Sequence, residues 1–241
     1  MKRKSARSTP GWICVPTTEI GAVARRPGAA SGARDWLSRH WLRIVVHLGA
    51  WIPLALIVYG LLTNQLTVNP IQAATLRTGK TALVLLVLSL ACTPLNTVFR
   101  FRPALKVRRA LGLYAFLYAA IHFAIFVGLD YGFDPQRLLE AVFEKRYALV
   151  GFAAGLVLLP LATTSTRGWM RRMGRRWTRL HRLVYLAAVL AVVHYTWLVK
   201  SDIRVPLLYG ALVLGLLALR LPPVRHTMAG LGGRLRRMPA G

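Results

Sequence analysis

Six apolar stretches, at roughly 44–62, 79–98, 110–129, 147–164, 182–199 and 205–221, dominate this sequence of 241 residues. Each is near the roughly 20 residues that a helix rising about 1.5 Å per residue needs to cross a hydrocarbon core of about 30 Å. A backbone in lipid must satisfy its own polar groups, so segments of this length and composition favour spanning helices. With 55% hydrophobic and 17% charged residues, the chain is too apolar for one soluble domain. It reads as an all-α integral membrane protein, a six-transmembrane helix bundle.

The formal net charge of +26 invites a nucleic-acid reading, and its distribution decides against one. Of 33 Lys and Arg, 26 fall in the N-terminal segment through Arg43, the 99–109 loop, the 167–182 loop and the tail from Arg220. The three alternate connections hold only seven, together with five of the seven acidic residues: Asp130, Asp134, Glu140, Glu144 and Asp202. This is the positive-inside alternation, with an even number of crossings and both termini cytoplasmic. The basic residues flank the spans, so attraction to anionic lipid head groups accounts for them and no nucleic-acid partner is expected.

Residues 1–38 read as a basic, disordered cytoplasmic extension, and residues 223–241 as a basic cytoplasmic tail after Pro222-Pro223. Arg25-Arg26 is followed by Pro27-Gly28-Ala29-Ala30 and not by an apolar run, so no export signal is expected. Neither tail has the character of a globular flavin- or nicotinamide-binding module, which would then belong to another chain. Cys14 and Cys92 form no CxxC or CxxCH pattern, which excludes a zinc or iron–sulfur framework and covalent haem attachment.

Against this apolar background three histidines stand out, His122, His181 and His194. A histidine within a span is costly, and neutral imidazole is a common axial ligand of haem iron. The third and fifth spans both leave the cytoplasmic side, the third after Arg108-Arg109 and the fifth at His181-Arg182, so they run parallel. His122 follows Arg109 by 13 residues and His194 follows His181 by 13, each about 20 Å along a helix. The two stand at similar height in the outer half of the membrane, placed to clamp one iron from opposite sides. Residues 39–222 are then a six-helix haem-binding transmembrane domain.

His181 lies about 140° around a straight helix from His194, which puts it at a separate inner site. The residue of the third span at its height is Arg109, so a second bis-histidine pair is not supplied. Its role stays open between an inner haem with an unusual partner, a flavin or quinone contact, and helix packing. His47, four residues past Arg43, reads as structural, with a snorkelling or quinone-side histidine as the alternative, and His40 and His226 carry no signal. Gly151-Phe-Ala-Ala-Gly155 has small-xxx-small spacing and reads as helix packing. Trp197, beside the outer histidine, is a candidate cofactor contact.

Several strings together are more specific than any histidine pair: Thr78-Gly-Lys-Thr-Ala-Leu, Thr93-Pro-Leu95, Arg108-Arg-Ala-Leu-Gly-Leu, Thr164-Ser-Thr166, Gly174-Arg-Arg-Trp177, Leu180-His-Arg-Leu-Val-Tyr185 and His194-Tyr-Thr-Trp-Leu-Val-Lys200. In these the chain resembles the MsrQ family over roughly residues 40–222. The resemblance implies a ferric-reductase-like transmembrane domain in the inner membrane of a Gram-negative bacterium, with haem b, an associated FMN and electrons from the quinone pool. It implies as partner a periplasmic molybdopterin-containing subunit that reduces methionine sulfoxide in oxidised envelope proteins. It also implies that His122, His181 and His194 are haem-associated. Two features depart from the resemblance: the long basic N-terminus, and Arg109 where ferric-reductase relatives carry a second histidine on the third span.

Overall fold

A computed structural model describes residues 29–63, 65–199 and 202–220. The chain divides into two compact units, Met1–Arg39 and His40–Gly241. In the first, the described residues are helical from Ala29; Cys14 and the rest of residues 1–28 lie outside the description, as do His226 and the tail 223–241. In the second, the described residues form helices and connecting turns without a strand.

The helices are α1 (Ala29–Leu62), α2 (Pro70–Phe99), α3 (Pro103–Ile125, extended by a π-helical turn Phe126–Asp130), α4 (Pro135–Glu144), α5 (Arg146–Thr163), α6 (Arg167–Met173), α7 (Arg175–His181), α8 (Val184–Leu198) and α9 (Arg204–Ala218). Five segments are long and apolar enough to cross a membrane: His40–Leu62, Pro70–Phe99, Pro103–Asp130, Arg146–Thr163 and Arg175–Leu198. The protein is a multi-pass membrane protein. The sixth expected span, 205–221, is realised as α9, whose 15 residues reach about 22 Å and fall short of a full hydrocarbon core.

Local chemistry sets the helix ends. Asn69 caps α2 by accepting from the Gln72 amide at 3.1 Å, with Pro70 in the first turn where its missing N–H costs nothing. At the other end Arg100 takes a left-handed conformation (φ 54°), and Pro103 starts α3 at once, closing a tight α2–α3 hairpin. Hydroxyls within the helices turn inward on their own backbone: Thr78, fully buried, donates to the Ala74 carbonyl at 2.8 Å. α2 is the most buried helix and packs chiefly on α3, while α5 packs chiefly on α8. Large apolar side chains such as Leu48, Ile52, Leu156 and Leu214 are exposed, as suits a surface that meets lipid.

α1 carries Pro53, and the ladder is re-satisfied there by another helix. The hydroxyl of Tyr118 on α3, 1% exposed, donates to the Ala50 carbonyl at 2.6 Å and accepts from the Leu54 amide at 2.9 Å. It is inserted between the two groups that an unbroken helix would join directly. Tyr118→Phe is expected to strand both and destabilise the chain by about 1–3 kcal/mol, read as a lower melting temperature in detergent. An unchanged melting temperature would mean that Leu54 and Ala50 simply pair with each other.

The path into the fifth long segment differs from the straight span expected at 182–199. α7 and α8 are joined through a tight turn, in which Arg182 N–H donates to Arg179 O at 3.2 Å, Leu183 to Leu180 at 2.9 Å and Tyr185 to Arg182 at 3.1 Å. Bonds of this three-residue span wind the chain faster than an α-helix, so the angular relation of His181 to His194 is not that of one straight helix.

Candidate haem site between two helix hairpins

His122 on α3 and His194 on α8 face one another with ring centroids 6.1 Å apart and planes at 83°. Both rings are half-buried. His122 Nδ1 lies 2.8 Å from the Thr75 carbonyl on α2, and His194 Nδ1 lies 2.6 Å from the Tyr147 carbonyl on α5. A carbonyl can only accept, so each Nδ1 must carry the proton. Each Nε2 therefore presents a lone pair, the state in which imidazole ligates a metal while its other nitrogen is held by an outer acceptor.

The spacing fits an iron between the rings. Metal–imidazole bonds are about 2 Å, so, adding the ring radii, two imidazoles on one ion hold their centroids about 6 Å apart. Two protein ligands are too few for a bare ion, which takes four or more donors. Among the described residues no group of three or more His, Cys, Asp or Glu gathers to complete such a set. A macrocycle that brings its own four nitrogens needs only the two axial positions, which is the donor set present here.

His181 does not join this pair. It closes α7, stacks on Trp177 with centroids 4.0 Å apart and an interplanar angle of 27°, and directs Nδ1 to the Trp177 carbonyl at 3.2 Å. Its Nε2 is buried and unpartnered. Trp177 is itself fixed by its indole N–H donating to the Thr164 carbonyl at 3.0 Å, past the end of α5. Arg109, the residue of α3 at matching height by residue count, is exposed, whereas Arg108 is part-buried and its carbonyl accepts from the Ser89 hydroxyl at 3.0 Å. Arg220, beyond α9, donates to the Tyr185 hydroxyl and, at 2.7 Å, to the Leu90 carbonyl, with its guanidinium 4.8 Å from the Tyr185 ring centroid. Its Nε and the Thr93 hydroxyl are likewise buried without partners.

His47 hydrogen-bonds the Tyr114 hydroxyl at 2.8 Å. Trp197 is 52% exposed. The carbonyls of Thr75 and Tyr147 were invisible to sequence reasoning, because any residue supplies a carbonyl.

The ferric reductase like transmembrane component family matches residues 78–192, a range that contains His122 and His181 and ends two residues before His194. A protein of Xanthomonas axonopodis pv. citri named protein-methionine-sulfoxide reductase heme-binding subunit MsrQ is 45% identical over 184 residues, covering 74% of this chain and 84% of that relative. The chain belongs to the MsrQ family. Relatives of the same printed name in Rhodospirillum rubrum, 42% identical over 78% of this chain and 91% of the relative, and in Deinococcus radiodurans, 47% identical over 74% and 88%, agree. No solved structure matches. Within the MsrQ family the relatives are named for haem binding, and the two opposed imidazoles of this chain are a donor set suited to that group.

Proposed function

We propose that this chain is the b-type cytochrome subunit of a protein-methionine-sulfoxide reductase system. It relays electrons from the quinone pool, or from a cytoplasmic flavin donor, to a periplasmic molybdopterin-containing subunit that repairs oxidised envelope proteins. The observation that carries this reading is the opposed pair His122 and His194, each with Nδ1 tied to a carbonyl and Nε2 free. His122 and His194 would hold the haem iron, and His181 would serve a second, inner redox site. The proposal includes the bacterial inner membrane, six crossings with α9 as the last, and both termini in the cytoplasm. FMN enters on the family resemblance alone.

Haem, when bound there, supplies reversible one-electron redox chemistry whose potential is set by axial ligation and burial. The chain's own residues do the positioning. Thr75 and Tyr147 hold the two imidazoles in one tautomer, and the apolar faces of α2, α3, α5 and α8 keep the surroundings dry. The height of the pair in the outer half of the membrane puts it near a periplasmic acceptor. Reduction of the sulfoxide takes place on the partner.

The detergent-purified chain is expected to show reduced-minus-oxidised Soret and α bands of a b-type cytochrome. Its reduced form is expected to be reoxidised by the periplasmic reductase subunit with methionine sulfoxide, and not by ferric citrate. Rapid reoxidation by ferric citrate alone would favour a ferric or metal-chelate reductase, the reading to which the matched family's description points. A folded chain without haem bands would defeat both.

A further inference from the structure

The two halves of the histidine clamp are built by the same rule twice. His122 and the Thr75 carbonyl are separated by 47 residues, and so are His194 and the Tyr147 carbonyl. In each half a glycine one turn beyond the carbonyl lies under the ring: a carbon placed on Gly79 would lie 3.0 Å from His122 Nδ1 and 3.1 Å from Cε1, and one on Gly151 would lie 2.6 Å and 2.7 Å from the same atoms of His194. Carbonyl, glycine and histidine of the α2–α3 hairpin thus recur in the α5–α8 hairpin at one constant offset.

We infer that Gly79 and Gly151 are positioning residues for the axial imidazoles, the matching elements of an internal repeat of two helix hairpins. The inference rests on the reading of His122 and His194 as haem ligands. Each ring must come close to the neighbouring helix for Nδ1–H to reach a carbonyl there. That carbonyl lies four residues before the glycine, so the ring descends onto the glycine's own face of the helix. A side chain at the glycine occupies the space the ring needs.

The ring's escape is limited. Moving it outward lengthens the bond to the carbonyl, frees the tautomer and turns Nε2 away from the opposite imidazole. The tighter fit is at Gly151, where something must shift; at Gly79 a displacement of a few tenths of an ångström relieves the contact. Ordinary helix energetics predict the opposite sign, since alanine is favoured over glycine in a helix interior. Gly155, one turn along α5, supplies the control, because a carbon there meets nothing within 4 Å.

The test compares Gly151→Ala, Gly79→Ala and Gly155→Ala in the full-length chain by haem retention, optical spectrum and low-spin electron paramagnetic resonance. Gly151→Ala is expected to lose haem roughly 10–100-fold more readily, with the residual signal shifted toward high spin, as for loss of an outer partner of a metal ligand. Gly79→Ala is expected to move in the same direction by less, and Gly155→Ala to match the wild type. A second arm uses the melting temperature of the haem-free chain: Gly151→Ala is placed in a His194→Ala background, where the ring is gone and the substitution is expected to cost nothing. Equal destabilisation with and without His194 would overturn the inference in favour of general helix packing, as would an unchanged low-spin signal in Gly151→Ala. A wild type devoid of haem would instead defeat the ligand reading and leave this second arm able to decide.

Discussion

Alanine at either His122 or His194 is expected to abolish the low-spin b-type spectrum of the purified chain, and alanine at both to do no more than either alone. The two rings address one position, with centroids 6.1 Å apart, so losing one leaves a single axial ligand and the group is both retained less well and changed in spin state. Effects of residues that act as one unit do not add. The fold is expected to survive, because the stranded carbonyl keeps another donor. With His122 removed, Thr75 O still lies 3.0 Å from the Thr78 hydroxyl, which can turn to it from the Ala74 carbonyl. The checks are haem content by pyridine haemochrome and paramagnetic resonance of the low-spin ferric state. A full low-spin signal in either single variant would remove that histidine from the site.

That pairing was legible in the sequence for a physical reason. Charge bias orients the helices, the rise per residue sets depth, and equal counts of 13 from Arg109 and from His181 put two histidines at one height. Depth is a one-dimensional quantity that counting recovers. Azimuth is not, and the expectations that depended on it came out differently. Arg109 was read as the third-span residue at the height of His181, and it is exposed, whereas Arg108, one residue and about 100° away, is part-buried. The straight-helix phase from His181 to His194 does not carry through the tight turn at Arg182 and Leu183. Gly151 and Gly155 looked alike as a small-xxx-small pair, yet the first lies under an imidazole and the second meets nothing. The Thr75 and Tyr147 carbonyls left no trace in residue type. The constant offset between the two hairpins was the available signal, and it becomes visible only once the partners are known. Tyr118, which mends the ladder at Pro53, likewise had no local signature, because its partners Ala50 and Leu54 are backbone groups more than 60 residues away.

His181→Phe separates the remaining readings of the inner site by sign, since phenylalanine keeps the stack on Trp177 and removes both nitrogens. The proposal that His181 serves a second redox site predicts a loss of about half of the haem or of another bound chromophore, with the low-spin signal of the His122 and His194 pair intact. Helix packing alone predicts something different. A buried polar atom without a partner costs about 1–3 kcal/mol, and His181 Nε2 is such an atom, so an apolar ring of similar shape should then raise the melting temperature and leave the chromophore content unchanged. The surroundings favour the first outcome. Arg220 Nε and the Thr93 hydroxyl are also buried and unpartnered. A guanidinium whose buried N–H has no partner suits an anionic group, and a cofactor carrying carboxylates or a phosphate supplies one. Arg220→Gln is then expected to weaken retention of the same inner chromophore as His181→Phe while sparing the outer signal. Loss of stability with no change in either signal would assign Arg220 to tying α9 onto α2 and α8 through Leu90 and Tyr185.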